Sequence, residues 1–351
     1  MKLALIGALA VLGVSACGSE AGTPGPASTD SSEPSSPPSA PGSTSSSDPP
    51  APGAPAAPAP LGAPYPVVLV HGMGGFGTLG VGPVKVTYFD GVIEDLTKQG
   101  EAVYATLAPP YDTSEVRAAA IAKQIDEILK RTGKAKVNLV GHSQGGLDAR
   151  VLASPNGLGY GDRIASVTTV ATPHRGSRIA DVALGLMKWL PPALVDDVTG
   201  GFLGLLQKSA YELQSDAHLR AQVTLLSEQY MKDVFNPKYV DDPRVSYMSY
   251  GGRTNLRSGV GACDGGAYPN DPKALDVAQP GLGVMALFLE DGEGKVNDGL
   301  VTVESAKWGK FQQCVAADHL KEVGQLGVLA SSFDHIALFR SIVSRIRAAG
   351  F

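Results

Sequence analysis

The sequence predicts an α/β protein with a mostly parallel central sheet, helices on both of its faces and one helical insertion. Three observations predict it. From about residue 61, short apolar runs alternate with segments of helical spacing, the pattern of strands feeding crossover helices. One run, VNLV at 137–140, passes through GHSQG straight into helix-forming sequence. Past about residue 181 the alternation breaks into a long apolar, helix-prone stretch before strand-like sequence returns.

In chain order, PVVLV (66–70) reads as a buried strand running into glycines. YFDGVIEDLTKQG (88–100) has helical spacing and stops at Gly100, and EAVYATLAP (101–109) is a strand. Residues 112–133 form a helix with its own start and stop signals. Asp112 caps it while Glu115 reaches back, a capping box, and Gly133 ends it. KVNLVGHS (136–143) is the next strand and QGGLDARVLAS (144–154) the next helix. RIASVTTVATP (163–173) is a strand, as is RVSYMSYGG (244–252). Between them, 182–213 is apolar and helix-prone, with prolines and glycines as hinges. DHIALFRSIVSRIRAAG (334–350) is a closing amphipathic helix.

The 351 residues do not all belong to this domain. Residues 1–17, MKLALIGALAVLGVSAC, carry one lysine, an apolar run and small residues. That is a secretory signal, too short to span a membrane. Its end resembles the lipobox of bacterial lipoproteins, in which the cysteine, here Cys17, is acylated. Residues 18–60 are almost wholly Pro, Ser, Ala, Gly and Thr, a composition that cannot offset its ordering entropy. They read as a disordered tether reaching roughly 35–40 Å. Residues 61–351 form the globular domain. The expected place is the bacterial cell envelope outside the cytoplasm, by a lipid anchor in a membrane, with later release as an alternative. A net charge of −5 gives no basic bias and argues against nucleic acid as partner. Cys263 and Cys314 are the remaining cysteines, and an exported chain favours their pairing. Such a loop would stabilise by about 4 kcal/mol.

GHSQG between strand and helix is a nucleophile elbow, G-x-S-x-G. The turn is so tight that the residues flanking Ser143 must carry almost no side chain. The helix behind it points its N-terminus at the reacting centre, which favours developing negative charge. Oxyanion donors follow from the same logic: the Gln144 amide, just after the nucleophile, and the Met73 amide in the glycine-rich HGMGGFG loop. His71 in that loop is expected to be structural. Of six histidines, the order Ser, acid, His leaves four. His174 comes too early, His218 lies in a polar helical stretch and His335 opens the last helix. His319, in a late loop, remains as the general base. For the acid, Asp264, Asp276, Asp291, Asp298 and Asp318 all satisfy the order, and spacing does not choose.

Six blocks then carry a resemblance: YPVVLVHGMGGF, DTSEVR, KVNLVGHSQGGLDAR, VTTVATPHRGSRIAD, VNDGLVTVESAKWGK and DHLKEVGQLGVL. Together they resemble the bacterial true lipases, alpha/beta-hydrolases that cleave triacylglycerols. The resemblance implies Ser143 as nucleophile, Asp298 as acid, His319 as base, and Met73 and Gln144 as oxyanion donors. It also implies a lid at about 182–232, opening at a lipid interface, and a folding chaperone as a partner in some relatives. The family holds a calcium ion near its catalytic histidine, with one aspartate two residues after that histidine. Here that position is Lys321. The second aspartate matches Asp276, and the carbonyl positions match Gln325 and Leu329. A protonated lysine is no ligand, so Lys321 is expected to replace the ion by pairing with Asp276, leaving no cofactor. Cys263 and Cys314 do not occupy both positions of the family's disulfide. The expected function is that of a serine carboxylester hydrolase acting as a monomer on acylglycerols. A short-chain or polymer esterase and a non-catalytic surface lipoprotein are the alternatives.

Overall fold

In a computed structural model of the chain, the described residues are 59–81, 84–187, 216–254, 280–290, 294–325 and 333–351. The expected signal segment, Cys17 and nearly all of the expected tether lie outside them, as do Cys263, Asp276 and much of the expected lid.

Six strands form one wholly parallel sheet, and two more form a separate antiparallel hairpin. The sheet strands are β1 (Val67–Val70), β4 (Val103–Thr106), β5 (Val137–His142), β6 (Ile164–Val170), β7 (Ser246–Gly252) and β8 (Lys310–Val315). Their spatial order is β4-β1-β5-β6-β7-β8. The hairpin pairs β2 (Thr78–Val81) with β3 (Val84–Thr87). The main helices are α1 (Val92–Lys98), α2 (Ser114–Thr132), α3 (Gln144–Ala153), α4 (Arg178–Met187), α5 (Asp216–Leu225), α6 (Pro280–Leu289) and α7 (His335–Ala348).

Both sheet faces are covered, so the central strands are largely apolar, and their polar members Asn138, Ser166, Thr168 and Thr169 are buried with the rest. Every residue of β1, β5 and β6 is buried. Successive strand side chains point to opposite faces, and β1 divides accordingly. Val68 and Val70 join Ile121, Ile125 and Leu147 of α2 and α3. Val67 and Leu69 join Leu96 of α1 and Phe339, Ile342 and Ile346 of α7.

Four local expectations change. Helix α1 begins at Val92 rather than residue 88, because Gly91 sits at φ +68° and Tyr88 and Phe89 are buried in the core. The capping box on α2 does not form. The N-cap is Thr113, without a side-chain cap bond; Asp112 Oδ1 accepts the Thr113 N–H at 2.8 Å, and Glu115 accepts the Tyr239 hydroxyl at 2.6 Å. The N-cap falls one residue later than the signature requires, so Asp112 and Glu115 are out of register for the box. Strand β8 and the hairpin have no counterpart in the sequence reading. KFQQCV is polar for a strand, and as the last strand it pairs only with β7, so it lacks the apolar signature of a central one.

Candidate active site

Strand β5 ends at His142 and α3 begins at Gln144, so Ser143 alone makes the turn. Its φ is +54° and ψ −130°, a conformation L-residues rarely adopt, costing of order 1–3 kcal/mol. The surroundings enforce it. Ser143 N–H donates to Val170 O at 2.9 Å, and Ser143 O accepts from Thr172 Oγ1 at 2.8 Å and Gly146 N at 3.1 Å. A Cβ on Gly145 would lie 2.3 Å from Val70 O, and one on Gly141 2.6 Å from the Gly145 carbonyl. Only glycine fits at either place, which is what the pentapeptide implied.

His319 follows β8 in the late loop and lines the same cleft as Ser143. Its Nδ1 lies 2.8 Å from Asp298 Oδ2, with both side chains buried. A carboxylate accepts, so Nδ1 carries the proton and Nε2 is left to receive one. The Leu300 and Val301 amides donate to Asp298 Oδ1 at 2.8 and 2.7 Å, fixing the carboxylate. The His319 N–H donates to Asp298 O at 3.0 Å, so backbone and side chain tie the two loops together. Asp318, also allowed by chain order, is used differently. Its Oδ1 accepts the Leu320 and Lys321 amides, and its Oδ2 lies 3.5 Å from Lys321 Nζ. Asp264, Asp276 and Asp291 lie outside the described residues.

The oxyanion loop follows β1. Gln144 opens α3, where no helical carbonyl lies one turn back to engage its N–H. Met73 lines the cleft, and its neighbour Gly74 donates its N–H to Pro110 O at 2.8 Å. A Cβ on Gly72 would come within 2.8 Å of the Ser143 Cβ, so the loop packs directly on Ser143. Buried Arg117 braces it, donating to His71 O at 2.7 Å while its Nε pairs with Asp148 of α3 at 2.8 Å. His71 is structural, as expected: Ala108 N–H donates to its Nε2 at 3.0 Å, and burial pushes its pKa down to about 3. His174 is buried against Thr169 and Trp308. His218 lies on α5, and His335 opens α7 with its Nε2 2.7 Å from Asp90 O.

Sequence reasoning passed over His142 and Tyr88. His142 Nε2 lies 3.0 Å from His319 O. A carbonyl accepts, so Nε2 carries the hydrogen and Nδ1 accepts. The Tyr88 hydroxyl then donates to that Nδ1 at 2.8 Å and itself accepts the Gly72 N–H at 3.0 Å. This directional chain joins the oxyanion loop to the backbone of His319. Burial, and then the neighbouring His319, hold the His142 pKa well below its ordinary range. The one His/Cys/Asp/Glu group with metal-like spacing among the described residues is His142, His319 and Glu322. It does not suit a metal, because both His142 nitrogens and His319 Nδ1 are already hydrogen-bonded.

The calcium that the resemblance implies fits poorly too. Lys321 is buried, and its ammonium faces the Asp318 carboxylate. Asp276 and Leu329 lie outside the described residues, while Gln325 is buried and donates through Nε2 to Tyr88 O at 3.1 Å. Cys314 is buried and disulfide-bonded in β8, and its expected partner Cys263 lies outside the described residues.

Over Ser143 and His319 the cleft is walled by Met73, Ile179, Val223, Leu226, Leu300 and Val301. An apolar wall with few polar groups suits a hydrocarbon chain. Helix α4 supplies Ile179, and α5, which lies within the expected lid segment, supplies Val223.

Comparison with known proteins agrees with this geometry. The model of the alpha/beta hydrolase fold matches residues 65–223, which carry both the oxyanion loop and the elbow. The fold and site therefore define an alpha/beta-hydrolase. A triacylglycerol lipase of Vibrio cholerae is 30% identical over 295 residues, covering 82% of this chain and 88% of the relative. One from Pseudarthrobacter phenanthrenivorans is 30% identical over 322 residues, covering 82% and 97%. Among solved structures, a metagenomic carboxyl esterase superposes with a TM-score of 0.58 at 20% identity, covering 85% of this chain and 81% of that one, which speaks to fold alone. The chain belongs to the triacylglycerol lipase family of alpha/beta-hydrolases and is a lipase-type ester hydrolase.

Proposed function

We propose that the chain hydrolyses acylglycerols through an acyl-enzyme on Ser143. The observation that carries this is the buried His319–Asp298 pair opening onto the apolar cleft that also holds Ser143. Ser143 Oγ attacks the ester carbonyl while His319 Nε2 takes its proton. The oxyanion is met by the Met73 and Gln144 amides, each such donor contributing about 3–4 kcal/mol in the transition state. The intermediate collapses, the ester C–O bond breaks, and His319 returns the proton to the departing alcohol. Water then attacks the acyl-enzyme by the same route in reverse roles, releasing the fatty acid and restoring Ser143. Asp298 keeps Nδ1 protonated and stabilises the imidazolium.

The setting of this chemistry is part of the same reading. Cys17 is acylated, and residues 18–60 tether a monomeric domain to a membrane of the bacterial envelope. Cys263 pairs with Cys314. The Lys321 ammonium, pairing with Asp276, holds the histidine loop in place of a metal. What supports a lysine in this role is its burial with the ammonium facing a carboxylate, that of Asp318, because a buried cation needs such a partner. A folding chaperone is a further expected partner.

The test is a chain-length profile on emulsified triacylglycerols and soluble short esters, with and without chelator. The proposal expects long-chain hydrolysis that chelator leaves unchanged. Turnover restricted to soluble short esters would make the protein an esterase. Loss with chelator and recovery with calcium would overturn the lysine substitution.

A further inference from the structure

Helix α5 grips both oxyanion donors through their side chains. Gln222, fully buried on its last turn, donates through Nε2 to Gln144 Oε1 at 2.6 Å and to Pro110 O at 3.2 Å. Gln144 Nε2 in turn donates to Asp112 O at 2.9 Å. Pro110 O is the same carbonyl that receives the Gly74 N–H at 2.8 Å, one residue beyond Met73. The two hydrogens of one amide group therefore touch both halves of the oxyanion hole: the residue that supplies one donor, and the anchor of the loop that supplies the other. The Met73 side chain packs on the small buried cluster formed by Ala180 and Val223, the latter on the same turn of α5.

The opposite end of Gln222 is informative. Among the described residues its buried Oε1 has no hydrogen-bond partner, a defect that a leucine of similar volume would not carry. Fold stability alone therefore gives little reason for glutamine here, whereas a two-pronged donor aimed at Gln144 and Pro110 does.

We propose that Gln222 is a positioning residue for the oxyanion hole, and that α5 stays seated while Ser143 is acylated. This rests on the assignment of Ser143 and of the Met73 and Gln144 amides. Lifting α5 would strand the Gln144 side chain and loosen the Met73 loop together. The part of the insertion formed by α5 therefore belongs to the catalytic machinery's support and is not a removable cover.

The experiment uses the full chain with Gln222→Leu, Gln222→Met, Gln144→Ala and the double variant Gln144→Ala/Gln222→Leu, alongside Ser143→Ala. Gln144→Ala keeps the backbone donor and removes only the side chain that α5 holds. On a soluble short ester, Gln222→Leu is expected to lower kcat about 10- to 50-fold with KM within about threefold. The Ki of an alkylboronic acid, which forms a tetrahedral adduct in the hole, should weaken by the same factor as kcat/KM. The Tm should stay within about 4 °C of the parent. The double variant should be no worse than the weaker single, because the residues act as one unit. A kcat for both Gln222 variants within about twofold of the parent, or losses that multiply in the double variant, overturns the proposal. Should one Gln222 variant fail to fold, the other and Gln144→Ala still decide. Turnover retained in Ser143→Ala would mark failure of the nucleophile assignment. An inactive Ser143→Ala beside an unimpaired Gln222→Leu would mark failure of the positioning role alone.

Discussion

Ser143 holds its hydroxyl at a backbone conformation that glycine would adopt more easily. Two substitutions separate chemistry from strain. Ser143→Ala should abolish ester turnover while leaving the fold intact, read by a stopped assay and a thermal melt. Ser143→Gly should be equally inactive yet melt a few degrees higher, since relieving the positive φ recovers about 1 kcal/mol. A lower Tm for the glycine variant would contradict the strain argument. Asp298→Asn should cut kcat by about 10⁴-fold, because an amide in place of the carboxylate favours the wrong imidazole tautomer. Ser143 was legible because its flanking glycines and the strand-to-helix change are local. Chain order left four histidines, and the local setting of the other three left His319. Spacing did not choose among the aspartates that satisfy the order; the family resemblance points to Asp298, and its contact with His319 Nδ1 is a pairing that only the fold displays. The Tyr88–His142–His319 chain had no sequence signal, because the fold brings those positions together.

Strand β5, the elbow and α3 stand or fall as a unit. Gly145→Ala would push a Cβ to 2.3 Å from Val70 O, against backbone that cannot yield cheaply. It should cost about 3 kcal/mol or more and misplace the Gln144 amide. Circular dichroism melts and kcat should fall together, and a variant of normal Tm and rate would refute the packing argument. The neighbouring elements show what local reading misses. Asp112 and Glu115 carry a capping signature, yet the N-cap falls one residue later, at Thr113, and Glu115 also accepts the distant Tyr239 hydroxyl. Strand β8 escaped notice because its interior glutamines hide its periodicity, although Gln313 is buried. The parallel central strands were plain because burial on two faces keeps them largely apolar, with Asn138, Ser166, Thr168 and Thr169 as buried exceptions.

The molecule as a whole carries His71, His142 and His174 buried, each with its pKa lowered, first of all by burial. In the unfolded chain each would protonate near 6.5. Below that pH the unfolded state binds more protons, so the stability these groups allow is present above 6.5 and is lost on acidification. Each contributes about 1.4 kcal/mol per pH unit within its window, which for His71 extends down to about 3. Denaturant titrations should therefore show unfolding free energy falling steeply from pH 6.5 towards 5. A flat profile there would mean these histidines are not buried as neutral groups. The alternation of strand and helix made the architecture readable without any site residue.

The most direct test of the central claim is peptide mapping after treatment with an alkyl organophosphonate. The account predicts one adduct per chain, on the peptide bearing Ser143, formed in step with loss of ester hydrolysis and slowed severely by His319→Ala. Complete inactivation with no mass added to Ser143, or full turnover by a chain carrying the adduct, would contradict it.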